Sequence, residues 1–222
     1  MQLSIVVPML NEADQLPDLL EHLSPLSRQG AEVIVVDGGS SDGSVAMARA
    51  GGFQVIDNSP GRARQMNAGA WASMGDVLLF LHADTRLPEG AMMAIEQAMH
   101  RHKWGRFDVR IAGRPSALRL VASLMNRRSR LSGIATGDQG IFVSRSVFDS
   151  IGGYPELPLM EDIDICRALK RLGKPACLRL RVSTSGRRWE QRGVWRTILL
   201  MWWLRWRYWL GAPVEEIAKA YR

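Results

Sequence analysis

Short β-branched runs and amphipathic stretches alternate along the first hundred residues. Leu3 to Pro8 (LSIVVP) reads as a strand, and Asp14 to Leu26 places Leu16, Leu19, Leu20 and Leu23 at helical spacing. Glu32 to Asp37 (EVIVVD) is apolar almost throughout and ends on a carboxylate. The pattern then predicts a helix at Ser44–Ala50, a strand at Phe53–Asp57, a helix at Arg62–Ala72 and a strand at Val77–Leu81 (VLLFL). A helix at Pro88–His100 follows, with Pro88 in its first turn. Strands apolar on both faces and separated by helices imply a mostly parallel sheet, flanked by helices, with right-handed crossovers. Beyond residue 105 the alternation loosens to a strand near Phe107–Ala112, a helix at Ser116–Arg130, a strand at Gln139–Val143 and a helix at Asp162–Leu172.

Ligands of such sheets collect beyond the carboxyl ends of the strands. The polar clusters at those ends are Asn11-Glu12, the run from Asp37 to Gly43, and His82-Ala83-Asp84, all expected on one edge. Asp37 with its glycine-rich loop suits close approach to a ribose or base, and a tight turn capped by Ser41 or Asp42 is the commoner use of such a run. Arg62 and Arg64 fall near a helix N-terminus, where the dipole favours anions, so a bound diphosphate would explain them as well as solvent would. Asp84 projects past a buried strand. One carboxylate plus substrate phosphates is how Mg²⁺ or Mn²⁺ is usually held, and a turn cap is the plainer alternative. Glu161-Asp162-Ile163-Asp164 opens a helix, which complements its dipole or supplies a general base.

The chain has 222 residues, enough for one sizeable domain, read here as residues 1–190, and a C-terminal helical extension at 191–222. The net charge of +7 is concentrated: residues 101–130 carry nine Lys/Arg against one Asp, and residues 179–209 eight Arg against one Glu. Those stretches contribute +8 and +7, leaving −8 elsewhere, a pattern open to anionic lipid, nucleic acid, a phosphorylated substrate or a solvated face. Cys166 and Cys177 form no CxxC pair, and the four histidines have no metal-ligand spacing. No basic n-region precedes the first apolar run, and Ile198–Leu204 falls far below the ~18 residues of a spanning helix. The expectation is a cytoplasmic protein.

The order and spacing of these motifs resemble the family 2 glycosyltransferases of the GT-A fold, over roughly residues 1–185. Val6-Val7-Pro8-Met9-Leu10-Asn11-Glu12 resembles the family's opening strand and Pro-x-x-Asn-Glu signature, and Val35 to Ser44 resembles its Asp-Asp-Gly-Ser-x-Asp-Gly-Thr motif. The resemblance implies a nucleotide-diphosphate sugar donor, UDP- or GDP-linked, contacted by Pro8, Asn11, Glu12, Asp37, Gly39, Ser41, Asp42, Arg64, Asn67, His82 and Ala83. Leu81-His82-Ala83-Asp84 sits where the family carries Asp-x-Asp, so Asp84 is the implied ligand of Mn²⁺ or Mg²⁺, and His82 replaces the first Asp. Gly137-Asp138-Gln139-Gly140 resembles the acceptor side, to which Arg187 and Arg188 are also assigned. Met160-Glu161-Asp162 resembles the Glu-Asp pair that supplies the base, with Asp162 first and Glu161 second. The implied reaction is an inverting, hexosyltransferase-type transfer to a hydroxyl acceptor. The Gln-x-x-Arg-Trp motif of processive members is absent in that form, Arg187-Arg188-Trp189 lying nearby, so a long polymer product is not expected. The compact architecture also resembles a small bacterial subgroup associated with arsenosugar synthesis.

Residues 193–210 hold five of the eight tryptophans, and Trp195, Leu199, Trp202, Trp206 and Trp209 share one helical face flanked by Arg196, Arg205 and Arg207. Three readings stand: packing on the chain's own domain, a homodimer interface, or a helix in the lipid interface of a peripheral protein on the cytoplasmic membrane face. Among rival functions, a basic nucleic-acid binder lacks any recognisable reading element, and no nucleic acid partner is expected. A dehydrogenase lacks GxGxxG, and a haloacid-dehalogenase-type phosphatase would need an Asp where His82 stands. A catalytically inactive scaffold of the same fold is the remaining alternative.

Overall fold

The computed structural model describes residues 1–221. One eight-stranded sheet runs through it. Its first half comprises β1 (Leu3–Met9), β2 (Glu32–Asp37), β3 (Gln54–Asp57) and β4 (Val77–Phe80), in the spatial order β3-β2-β1-β4 and all parallel. Side chains alternate between faces with period two, and both faces are covered. On β1, Ile5 and Val7 enter one core with Val33, Val35 and Leu79, while Val6 enters the other with Ile34, Val36, Leu78 and Phe80. Helices α1 (Leu16–Arg28), α2 (Ser44–Ala50) and α4 (Ala91–Met99) contribute buried residues to the first core, and α3 (Arg62–Ala72) to the second.

The second half of the sheet departs from the simple alternation. Strand β7 (Ile141–Ser144) lies antiparallel to β4, followed in space by β6 (Trp104–Ala112), β8 (Ala176–Ser185) and the two-residue β5 (Thr85–Arg86). Helix α5 (Ala117–Ser132) covers β6, while α6 (Arg145–Ser150) and α7 (Glu161–Leu172) close the second core. Three helices follow: α8 (Arg187–Arg192), α9 (Val194–Trp209) and α10 (Val214–Tyr221). Among the described residues no helix is long and apolar enough to cross a membrane.

Several boundaries differ from the sequence reading for local reasons. Helix α1 begins at Leu16, with Pro17 in its first turn where a missing N–H costs nothing, and continues through Pro25 to Arg28. Helix α4 begins at Ala91, whose N–H is bonded to the Pro88 carbonyl, so Pro88 precedes the helix and does not open it. Strand β8 carries Arg179 and Arg181 on exposed positions, which hides its apolar alternation. The basic run at 101–130 is partly internal: Arg106 is buried and paired with Asp108, which also accepts from Arg130 at 2.6 Å. That run is therefore not one solvated cationic face.

Helix α3 lies so close to the sheet that a Cβ on Gly69 would stand 2.4 Å from Val6 Cγ1 and 2.8 Å from Val36 Cγ2. At those distances something must shift, and both neighbours are stiff, β-branched core side chains. Gly69→Ala is expected to cost about 1–3 kcal/mol in urea unfolding, against the small gain of a Gly→Ala change in an open helix.

Candidate active site

The carboxyl ends of β1, β2 and β4 meet one another at the same edge of the sheet. After β1 the chain turns at Asn11, a non-glycine residue with φ of 53°, and returns beside the loop that follows β2. The two loops are stitched together: Asn11 N–H donates to Ser40 Oγ, Ser41 N–H to Asn11 Oδ1, Ala13 N–H to Asp42 Oδ2, and Glu12 N–H to Ser44 Oγ. Asp37 folds back to accept the Gly39 and Ser40 amides, with Gly39 at φ of 96°. Bonds from the Ser44 hydroxyl and the Ala13 amide hold the Asp42 carboxyl below its ordinary range. Asn11, Ser40 and Asp42 thus spend their side chains on each other's loops, and Asp37 caps its own turn through Oδ2, its Oδ1 being buried with no hydrogen-bond partner among the described residues.

Beyond that edge lie two adjoining hollows of about 450 and 620 Å³, sharing Pro8, Glu12, Arg62, Glu161, Arg188 and Tyr221 in their walls. The first gathers His82, Ala83, Asp84, Gly137, Asp138, Asp162 and Arg187, and Arg64 reaches only the second. Seven sequence candidates line neither hollow: Asn11, Asp37, Gly39, Ser41 and Asp42 lie in the two stitched loops, and Asn67 and Gln139 lie in the interior. Asn67 is buried, donating to the Tyr154 carbonyl at 2.8 Å and accepting from its N–H at 2.8 Å, so it pins the segment that leads into α7. Gln139 is also buried, its amide directed at the Phe107 carbonyl and Ser129 Oγ. Both amides bind backbone and core groups.

Within the first hollow, His82 Nδ1 lies 3.2 Å from Asp138 Oδ1, and the His82 ring rests against Gly137 so closely that a Cβ there would come within 2.3 Å of Nε2. The Gly137 amide donates to Asp162 Oδ2 at 2.8 Å, while Asp162 Oδ1 is buried with no hydrogen-bond partner among the described residues. An orphaned carboxylate oxygen is costly, and its presence at a cavity wall marks it as an acceptor for something that enters. Asp162 and Glu161 occupy the first turn of α7, presented by Met160 in a left-handed conformation at φ of 69°. Such backbone is unfavourable for a side-chain-bearing residue by about 1–2 kcal/mol and gathers at functional sites.

Arg62, the first residue of α3, is the cation at a helix start that a bound diphosphate or solvent would explain equally, and it enters the site. Its guanidinium lies 3.6 Å from Glu161. Enclosure in the cleft lowers its proton affinity, but Glu161, Asp162, Asp138 and Asp84 together outweigh that, so it is held above its ordinary range and stays cationic. On the opposite wall, Arg187 pairs with Glu12 at 3.5 Å, and Arg188 lies over the Tyr221 ring at 4.4 Å. The legible signal for Arg62 was a cation at a helix start, against the dipole.

Burial first, and then the neighbouring Asp162 charge, raise Glu161 from 4.5 to about 7, against the pull of Arg62. Burial likewise raises Asp162, opposed by His82 and Arg62. A raised carboxyl favours the folded state fully below its unfolded value and loses that contribution as pH rises through the folded value. Glu161→Gln is therefore expected to be more stable than the parent by about 1–3 kcal/mol at pH 8, shrinking toward zero by pH 4, in paired thermal melts.

With this geometry in view, the comparisons with known proteins are specific. The sequence model for glycosyl transferase family 2 matches residues 4–141. An undecaprenyl-phosphate 4-deoxy-4-formamido-L-arabinose transferase of Klebsiella pneumoniae (strain 342) is 31% identical over 153 residues, 63% of this chain and 46% of that protein. A mannosyltransferase from Pyrobaculum calidifontis, solved with GDP-Man and Mn²⁺, superposes with a TM-score of 0.64 at 18% identity, over 82% of this chain and 56% of that one. S. aureus TarS, solved with UDP, gives 0.66 at 17% identity over 83% and 60%. The chain thus spans about half the length of these relatives. The two solved structures share its mixed sheet and flanking helices, which is the GT-A fold. The chain belongs to glycosyl transferase family 2.

Proposed function

We propose that this chain moves a sugar from a nucleoside-diphosphate donor to a hydroxyl acceptor with inversion, using Asp162 as base. The observation that carries the reading is the unpartnered Asp162 Oδ1 in a hollow that also holds Asp84 and a set of arginines. The acceptor oxygen attacks the anomeric carbon from the face opposite the diphosphate. The new C–O bond forms as the bond to the phosphate oxygen breaks, which inverts that carbon, and Asp162 takes the hydroxyl proton. The Gly137 amide holds the other Asp162 oxygen and so aims the free one. Arg62, Arg187 and Arg188 line the region where the departing diphosphate gathers charge, and their guanidinium groups would offset it.

A divalent cation fits this site in a particular way. Asp84 accepts only long bonds, 3.3 Å from Thr85 Oγ1 and 3.5 Å from Thr184 Oγ1, leaving lone pairs toward the hollow. Among the described residues no three His, Cys, Asp or Glu side chains are grouped to hold a metal. An ion on Asp84 would draw its remaining ligands from the diphosphate and water, the usual habit of Mg²⁺ and Mn²⁺. When bound it would supply charge neutralisation of the leaving group. The GDP-Man, UDP and Mn²⁺ named with the solved relatives favour such a donor, and the undecaprenyl-phosphate in the name of the Klebsiella relative favours a lipid-linked acceptor.

Two measurements test this reading. Calorimetric titration with UDP and GDP should show one nucleotide binding more tightly with Mn²⁺ than without, and Asp84→Ala should erase that difference. No binding of either nucleotide under any condition would reject the donor site. Asp162→Asn should lower transfer turnover about 10²–10⁴-fold while nucleotide affinity stays within about twofold. Because burial raises Asp162, the parent's activity should begin to fall, as pH decreases, above the ordinary carboxylate range. A pH profile flat down to pH 4.5 would remove Asp162 from the role of base.

A further inference from the structure

Helix α9 turns its tryptophans away from the protein. Thr197 and Leu204 are its buried residues, and Val194 and Ile198 pack against the core on that side. Trp195, Leu199, Trp202, Trp206 and Trp209 are 68%, 67%, 68%, 61% and 73% exposed, and Trp203 is 43% exposed. The helix packs on the domain through small and aliphatic residues of its opposite face, and the tryptophan stripe faces outward. At about 100° per residue the six outward residues fill a continuous arc of about 120° that holds no charge, along a helix of about 24 Å.

We propose that this face docks in the interface of an anionic lipid bilayer, with α9 parallel to the membrane plane. Five of the six outward side chains are tryptophan, which seats an apolar ring at headgroup depth with its N–H still among polar groups. Arginines border the arc on both sides, Arg196 and Arg207 on one and Arg205 on the other, and α9 contains no acidic residue. Arg196 is exposed, while Arg207 is bonded to Glu216 at 2.7 Å and Arg205 lines the first hollow. A second copy seated two-fold on this face would meet arginine with arginine, whereas lipid phosphates complement them. The net charge of +7 favours an anionic surface in the same direction.

Docking would also orient the active site. Thr197, Met201 and Arg205 of the same helix form part of the wall of the first hollow, opposite in sense to the tryptophans. A helix anchored by its outer face thus holds the acceptor side of the cleft beside the bilayer, where a hydroxyl or phosphate carried on a lipid would reach it. That consequence rests on the transferase reading; the docking itself does not.

The test is vesicle co-sedimentation of the full chain with phosphatidylcholine vesicles and with vesicles containing 30% phosphatidylglycerol, at about 0.1 M salt. Binding is expected to the anionic vesicles, with a blue shift of tryptophan emission and quenching by brominated acyl chains. Replacing Trp195, Trp202 and Trp206 together by Ser should weaken partitioning by about tenfold or more, with unchanged circular dichroism and UDP or GDP affinity. Arg196→Gln should weaken it roughly fivefold. Absence of vesicle binding, or a concentration-dependent dimer in sedimentation velocity that the triple variant abolishes, would overturn the proposal. Vesicle binding without nucleotide binding would instead reject the transferase site while leaving the docking surface in place.

Discussion

Four carboxylates, Asp84, Asp138, Glu161 and Asp162, crowd one guanidinium, that of Arg62. Like charges gathered in one cleft repel, and a cation among them or added protons offset that repulsion. The fold is organised to enforce the arrangement. The carboxyl end of β4 delivers Asp84, the turn before β7 delivers Asp138, the first turn of α7 delivers Glu161 and Asp162, and the start of α3 brings the arginine. Helix α3 reaches that position because Gly69 lets it settle onto β1 and β2, and Asn67 on the same helix ties down the segment leading to α7. The residual strain shows in the raised Glu161 and Asp162 and in the left-handed Met160 before them.

The parallel half of the sheet was legible because β1, β2 and β4 are buried on both faces and bounded by polar turns, while β3 is a short, partly exposed edge strand. Glu32–Asp37, Ser44–Ala50 and Arg62–Ala72 occur as the pattern predicts. The mixed half was less so. Strand β8 is long and carries arginines on its exposed positions, β5 has only two residues, and α6 is a single short helix, so none presents a periodic window wide enough to read. The edge on which polar clusters gather was foreseen, but not which side chains there are free. Asn, Ser, Asp and Gln close loops with the same groups they would offer a ligand, and only coordinates separate Asn67 or Gln139, engaged with Tyr154 and Phe107, from Asp162 with its unpaired oxygen.

The substitution of His82 for the first carboxylate of the family pattern acquires a physical reading from its neighbours. The ring stacks on Gly137 and reaches Asp138, so it buttresses the turn whose amide grips Asp162. A carboxylate in the same place would add a fifth negative charge to the cluster around Arg62. The exchange thus moderates the repulsion while keeping a polar link across the cleft. Helices α8 to α10 extend the site on its other side, Arg187 reaching Glu12 and Arg188 stacking on Tyr221, so the basic C-terminal segment is a wall of the cleft as well as an outer surface.

The central claim is that one hollow binds the diphosphate between Asp84 and the arginines while Asp162 faces the acceptor. The most direct measurement is a crystal structure with the nucleoside diphosphate and Mn²⁺ soaked together. The account predicts the ion on Asp84, both phosphates within hydrogen-bond reach of Arg62 or Arg188, and Asp162 Oδ1 open toward the vacant acceptor space. A nucleotide seated away from Asp84, or an Asp162 turned from the cleft when the diphosphate is bound, would contradict it.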